Sequence, residues 1–284
     1  MKAYQNFWMP IAAAAVFSAA IVAPASAQDL SSQLAKQSTL ETIKKRGIIN
    51  IGNSPFRPWV MRDITGGVVG FEIDVGTKLS KDMDVTPNFV TTAWDGIIPA
   101  LLSGKFDIII GGMSKTPKRA LQVNFSSTYN ATGTMIAASR KLAGDFQTVE
   151  DFNKTSVVMA CRRASTACDK IKQFTPKAKW IMFDDEATAL QEVLNGNAHG
   201  VPSSWPQVTL WTTENSGELH SPIGSPIQPN PAALAMRKGD FDFMSYINNW
   251  IEWNDDYLAE RRHYWFGTLD WQRDFKIAPK KKKK

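Results

Sequence analysis

From Ile48 onward, short apolar runs alternate with stretches of helical period, and no other feature limits the fold as tightly. Ile48 to Gly52, Phe89 to Thr92 and Phe106 to Ile110 each predict a buried strand. Helices are predicted near Glu72 to Lys81 and after Trp94-Asp95, where Ile97, Ile98, Leu101 and Leu102 share a face before Gly104. The pattern then restarts. Strands are predicted over Thr155 to Cys161 and Trp180 to Phe183, each followed by a helix, Ser165 to Phe174 and Glu186 to Leu194. Such order predicts βαβ units, and the restart favours two α/β lobes over one sheet. The chain is predicted to cross between them near 133–137 and 222–231. The second crossing holds four prolines in ten residues, so it reads as a connector and not an element. Ala232 to Met236 follows as a strand, and Phe243, Tyr246, Ile247, Trp250 and Ile251 fall at helical spacing. Ahead of everything, Ser38 and Glu41 form a capping box for a short helix that Gly47 stops.

The two ends read as separate from this body. Ile11 to Ala23 is apolar except for Ser18, and Ala25-Ser26-Ala27 offers a small-x-small cleavage site. Residues 1–27 are therefore expected to be a cleaved signal peptide, the alternative being an uncleaved anchor; the run is short for a bilayer core of about 30 Å. With no cysteine nearby to carry a lipid, the expected location is the periplasm. The net charge of +6 is matched by Lys2 and the five lysines Lys280–Lys284. The body is thus neutral, so the basic pI marks a disordered tail and not a nucleic-acid face. Lobe 1 is expected over 28–135 and 232–279, and lobe 2 over 136–231.

Catalytic signatures are thin. The sequence has no HExxH, no GxSxG and no phosphate-binding GxxxxGK[ST]. His199, His220 and His263 lie far apart, and two cysteines seven positions apart do not make a zinc site. Neither a metal nor a cofactor is expected. The informative stretch runs from Gly111 to Ser126. A strand ends in Gly111-Gly112, where backbone amides can approach a ligand. Ser114 adds a hydroxyl, Thr116-Pro117 starts a helix, and Arg119 follows with a fork that matches a carboxylate. Together these predict a carboxylate receptor at the mouth of a sheet.

Four segments in order carry a resemblance: Gly70-Phe-Glu-Ile-Asp74, Trp94-Asp-Gly-Ile-Ile-Pro-Ala100, Ser114-Lys-Thr-Pro-Lys-Arg119 and Ala235-Met-Arg-Lys-Gly-Asp240. Over roughly 39–270 the chain resembles the periplasmic solute-binding proteins of polar amino-acid ABC transporters, those for histidine, lysine-arginine-ornithine and glutamine. The resemblance implies an α/β two-lobe periplasmic-binding-protein fold (type II) with two hinge crossovers. It implies a monomeric, non-enzymatic importer component that closes on a small carboxylate-bearing ligand and delivers it to an ABC permease. Its carboxylate-binding arginine falls on Arg119, with Gly112 and Ser114 beside it. Its aromatic walls fall on Phe56 and Trp94, for which a plain core role is the alternative. The second-lobe contact falls on Ser165 and Thr166, and a pocket position on Arg162. The family's ammonium-binding aspartates fall on Asn53 and Ser204, neither charged, while Arg162, Arg163 and Arg57 stand nearby. The cleft therefore suits an acid better than a zwitterion, unless Glu72, Asp184 or Asp185 meets the ammonium. Arg162 and Arg163 could equally form a solvated loop. A relative on the same fold, cyclohexadienyl dehydratase, is an enzyme and supplies the alternative function. Cys161 and Cys168 bracket the second-lobe loop, and export permits them a disulfide; two buried thiols are the other reading.

Overall fold

The computed structural model describes residues 38–275; the expected signal peptide and lysine tail lie outside them. In chain order the first half contains α1 (Thr39–Arg46), β1 (Ile48–Asn53), β2 (Met61–Arg62), β3 (Val68–Val69), α2 (Phe71–Asp82) and β4 (Thr86–Thr91). It continues with α3 (Ile97–Leu102), β5 (Ile108–Ile109), α4 (Pro117–Ala120) and β6 (Asn124–Ser139). Then follow α5 (Arg140–Ala143), β7 (Val158–Arg162), α6 (Thr166–Phe174), β8 (Lys179–Phe183), α7 (Glu186–Leu194), β9 (Gly200–Ser204) and α8 (Trp205–Glu214). The chain closes with β10 (Leu219–His220), β11 (Ile227–Met236), α9 (Phe241–Trp253), α10 (Asp255–Arg262) and α11 (Asp270–Asp274).

One mixed sheet, continuous through both halves where the restart favours separate lobes over one sheet, runs β4-β1-β5-β11-β6-β9-β7-β8, with β10 added on β6. The pairs β1–β4, β1–β5 and β7–β8 are parallel, each bridged by helix, as the alternation predicts. The middle pairs are antiparallel, and here two long strands join the halves. The first part of β6 lies against β11, and Thr134 to Ala138 lies against β9. Each half has its own core. Ile49, Ile51, Phe71, Leu79, Trp265 and Trp271 pack on one side of the crossing. Ala160, Leu190, Val193, Val201 and Trp211 pack on the other.

Two expectations need correction. The proline-rich return is half strand: β11 begins at Ile227 and carries Pro229 opposite Gly133 and Pro231 opposite Ala131. Proline cannot donate to a ladder, and the pairing accommodates it through register shifts between Ile227 and Pro229 and again near Ala233. Gly133 permits the close approach, because a Cβ there would lie 2.4 Å from Pro226. The capping box is also absent. Ser38 stands at the N-cap but makes no cap bond, and Glu41 pairs with Lys44. The Thr39 amide donates instead to Asp240, whose second oxygen accepts from Phe243, so one carboxylate starts two helices 201 positions apart in sequence.

Candidate functional site

The cavity lies where the halves meet. Its floor is the two crossing strands, through Asn130 and Thr132 of β6 and Asn230 and Ala232 of β11. Phe56 and Trp59 form one wall; their rings stack at 4.3 Å, and Trp59 is buried. Trp94, Gly112 and Ser114 complete that half's contribution. Gly112 is at φ 66°, a left-handed position, and a Cβ there would sit 3.1 Å from the Trp59 ring. From the other half come Arg162 at the end of β7, Ser165 to Ala167 at the start of α6, Glu186 at the start of α7, and Ser204. A strand end followed by a helix start brings polar groups to a sheet edge, the usual place for a ligand in an α/β fold.

The two faces are bonded across the cleft. Trp94 Nε1 and Arg119 Nη2 both donate to the carbonyl of Ala164, at 3.2 and 2.9 Å. Ala164 itself is at φ 55°, a conformation an alanine seldom adopts. The hydroxyls of Ser114 and Thr166 meet at 2.9 Å. On the far flank Arg57 pairs with Glu214 of α8 at 2.8 Å and lies over Trp271. What remains enclosed is a cavity of about 40 Å³, room for a few waters. Phe56 and Glu186 also line a groove of about 1110 Å³ outside it, so the partition is one side chain thick.

The aromatic pair grips a residue of the protein itself. The Arg162 guanidinium lies 4.9 Å from the Phe56 ring centre and 4.7 Å from that of Trp94. Arg162 is 4% exposed and pairs with Glu186 at 3.2 Å. Its Nε and Nη1 have no partner, and neither do Asn130 Nδ2 and Ser204 Oγ on the same cavity. Burial pulls the Arg162 pKa down, against the pull of Glu186 and Asp185. Burial pushes the Glu186 carboxyl up, while Arg162 and the Ser203 hydroxyl, which donates at 2.6 Å, draw it back. Buried donors left unpaired are costly, so their gathering here marks a place built to meet an acceptor.

Phe56, Trp94, Gly112, Ser114, Arg162, Ser165, Thr166 and Ser204 thus come together. Two expected residues do not reach the cavity surface. Asn53 is buried behind it, bonded to Thr91 at 3.0 Å, because it is the last residue of a central strand. Arg119 stands behind Ser114, with Nη1 on the Ser114 carbonyl at 2.9 Å and its guanidinium 5.5 Å from the Trp94 ring. Burial and then Arg162 hold its pKa down at about 10, still cationic at neutral pH. Arg163 is at the surface with Asp184, and Asp185 caps α7 by accepting from Thr188. Of the carboxylates proposed for an ammonium, Glu72 is buried under Gly112 and bonded to Tyr129. Glu186 carries no signal in the sequence, since the start of a predicted helix gives no sign that its first side chain turns inward. Trp59, Asn130, Thr132 and Asn230 carry none either.

Cys161 and Cys168 are joined, with α-carbons 6.0 Å apart, one at the end of β7 and one inside α6. Unreduced protein is expected to show no titratable thiol, and reduction should destabilise it by about 2 kcal/mol on the chain-entropy model for so short a loop. The bond brackets Ser165 and Thr166, so reduction should also weaken solute binding. Two free thiols by mass spectrometry of the unreduced protein would refute this.

No helix among the described residues is long and apolar enough to cross a membrane, and no group of three or more His, Cys, Asp or Glu among them is placed to hold a metal. The family model for bacterial extracellular solute-binding proteins, family 3, matches residues 49–268. The chain is 28% identical over 168 residues to the ABC transporter arginine-binding protein 1 of Escherichia coli, covering 59% of this chain and 67% of that one. It is 24% identical over 255 residues to the cyclohexadienyl dehydratase of Pseudomonas aeruginosa, covering 87% and 90%. Among solved structures, a binding component of an ABC transporter from Wolinella succinogenes complexed with lysine superposes with a TM-score of 0.75 at 31% identity, covering 80% of this chain and 99% of that one. The fold is the two-lobe type II arrangement, with β6 and β11 as its two crossovers.

Proposed function

We propose, because this chain belongs to the bacterial extracellular solute-binding proteins of family 3, that it is the periplasmic substrate-binding component of an ABC importer. Its ligand is an amino acid or a related small organic acid, captured as the two lobes close about β6 and β11. The observation that carries this reading is the set of buried, unpartnered donors on Asn130, Arg162 and Ser204 around one cavity between the lobes. Arg119 and Ser114 take the carboxylate, which replaces the Ala164 carbonyl on the arginine fork. Ser165 and Thr166 complete the site from lobe 2, and Phe56 and Trp94 wall it. Lobe 1 takes residues 28–135 and 232–279 and lobe 2 takes 136–231; β6 leaves β11 for β9 at Thr134, close to the first of these boundaries. Residues 1–27 direct export, the chain works as a monomer, and a membrane permease receives the solute.

The dehydratase relative gives a second reading, since it matches most of the chain. The carboxylate on the cavity, Glu186, is held by Arg162 and Ser203, an arrangement suited to fixing charge more than to passing a proton. A thermal-shift screen of amino acids, dicarboxylates and aromatic acids finds the solute, and a turnover assay decides between the readings. A bound solute raises Tm by mass action, and stoichiometric binding by calorimetry without turnover is the expected result. Conversion of prephenate or arogenate to an aromatic product with saturation kinetics would overturn it.

A further inference from the structure

We infer that Arg162 determines specificity by filling the aromatic slot with the protein's own guanidinium, so that this site selects an acidic amino acid and rejects a cationic one. The inference rests on the solute-binding reading and names the ligand class of that same cavity. Phe56 and Trp94 present two π faces with one cation between them. Such a slot is chemically suited to a ligand's guanidinium or ammonium, and the relatives include an arginine-binding protein and a structure with lysine bound. Here the slot is taken. A cationic side chain would have to evict Arg162 and strip Glu186 of its buried partner, or lie against a like charge.

An acid meets the opposite situation. Arg162 Nε and Nη1 are buried donors with no acceptor, and the two rings and Glu186 hold the guanidinium in place. Arg119 and Arg162 against Glu186 leave the site with one net positive charge. An acidic amino acid carries two carboxylates and one ammonium, which sum to one negative charge. Its α-carboxylate suits Arg119, its ammonium suits Glu186, and its side-chain carboxylate suits a free N–H of Arg162. The present cavity is too small for it, so lobe opening precedes entry.

The test is calorimetric titration of the wild-type protein and Arg162→Ala with L-glutamate, L-aspartate, L-glutamine and L-arginine, at matched ionic strength. The wild type should bind one of the two acidic amino acids at least tenfold more tightly than L-glutamine or L-arginine. Arg162→Ala should lose at least tenfold for that acid and gain at least tenfold for L-arginine, whose guanidinium can then enter the slot beside Glu186. Arg162→Gln, which keeps a hydrogen-bond donor for Glu186 without the cation, should lose the acid in the same way, and guards against an alanine variant that does not fold. A wild type that prefers L-arginine or L-glutamine, that binds neither acidic amino acid, or whose preference survives both substitutions, overturns the inference and leaves the importer reading standing. That reading falls separately, to prephenate turnover or to a thermal screen in which no solute raises Tm.

Discussion

Arg119→Ala is expected to weaken solute binding by roughly thirtyfold or more. Truncating one member of a buried, charge-assisted pair costs about 2–5 kcal/mol, and 1.4 kcal/mol is tenfold in affinity. The arginine is held for this work from several sides. Thr116 accepts from its amide, the Ser114 carbonyl takes Nη1, and the Trp94 ring lies against the guanidinium. Only Nη2 reaches across the cleft, to the Ala164 carbonyl. A carboxylate can take that place and gain a second bond, because a planar fork presents parallel N–H groups to two oxygens. Arg119→Lys should therefore lose most of the affinity as well, since an ammonium offers a point charge and no fork. Far-ultraviolet circular dichroism should show both variants folded, as Arg119 sits on a four-residue helix that contributes no buried residue. Near-native affinity of Arg119→Ala would remove the carboxylate from Arg119 and leave the unpaired donors of Arg162 as its receptor.

The parallel parts of the sheet were legible because the inner strands β1, β5 and β7 are largely buried and each connection carries a helix, so apolar runs and helical period alternate. The crossover strand β6 was not. Its opening Asn-Phe-Ser-Ser-Thr-Tyr-Asn-Ala-Thr is too polar for a buried strand by pattern alone, although Phe125, Ser126, Tyr129 and Asn130 are buried. The reason is functional: this segment is the floor of the cavity, where Asn130 and Thr132 face the site. For the same reason β11 reads as a connector, with Pro229 and Asn230 where an ordinary strand would place apolar residues. The stretch proposed to receive a carboxylate is visible in the sequence, since a strand end, paired glycines, a hydroxyl and an arginine fall within nine residues. What it lacked was depth. Sequence spacing puts Arg119 near the cleft and Arg162 on a loop, whereas packing puts Arg119 behind Ser114 and buries Arg162 between two rings.

Folding stability is expected to fall as pH rises from about 5 to 8 through one buried carboxyl, Glu72. The side chain is fully buried at the start of α2, and both oxygens face the Tyr129 hydroxyl at 2.7 Å, which donates to them. Burial pushes the carboxyl up to about 8 from an ordinary 4.5, against the hydrogen bonds from Tyr129 and the Gly112 amide. The folded chain therefore keeps this proton at neutral pH while the unfolded chain loses it near pH 4.5. Between those values the unfolded state binds fewer protons, so each pH unit removes about 1.4 kcal/mol of stability from this group. The contribution is fully present below pH 4.5, is lost across the window, and changes no further above about pH 8; the whole fall is on the order of 5 kcal/mol. Glu72→Gln keeps the shape and one acceptor without the titration. In urea unfolding the variant should match the wild type near pH 5 and exceed it by several kcal/mol at pH 8. A difference that does not vary with pH would mean that Glu72 is ionised in the fold. Because the Gly112 amide bonds this carboxyl and the Glu72 amide donates to the Trp59 carbonyl, ionisation in the folded chain would also loosen one wall of the cavity, and solute affinity should decline as pH rises through about 8 in the wild type but not in Glu72→Gln.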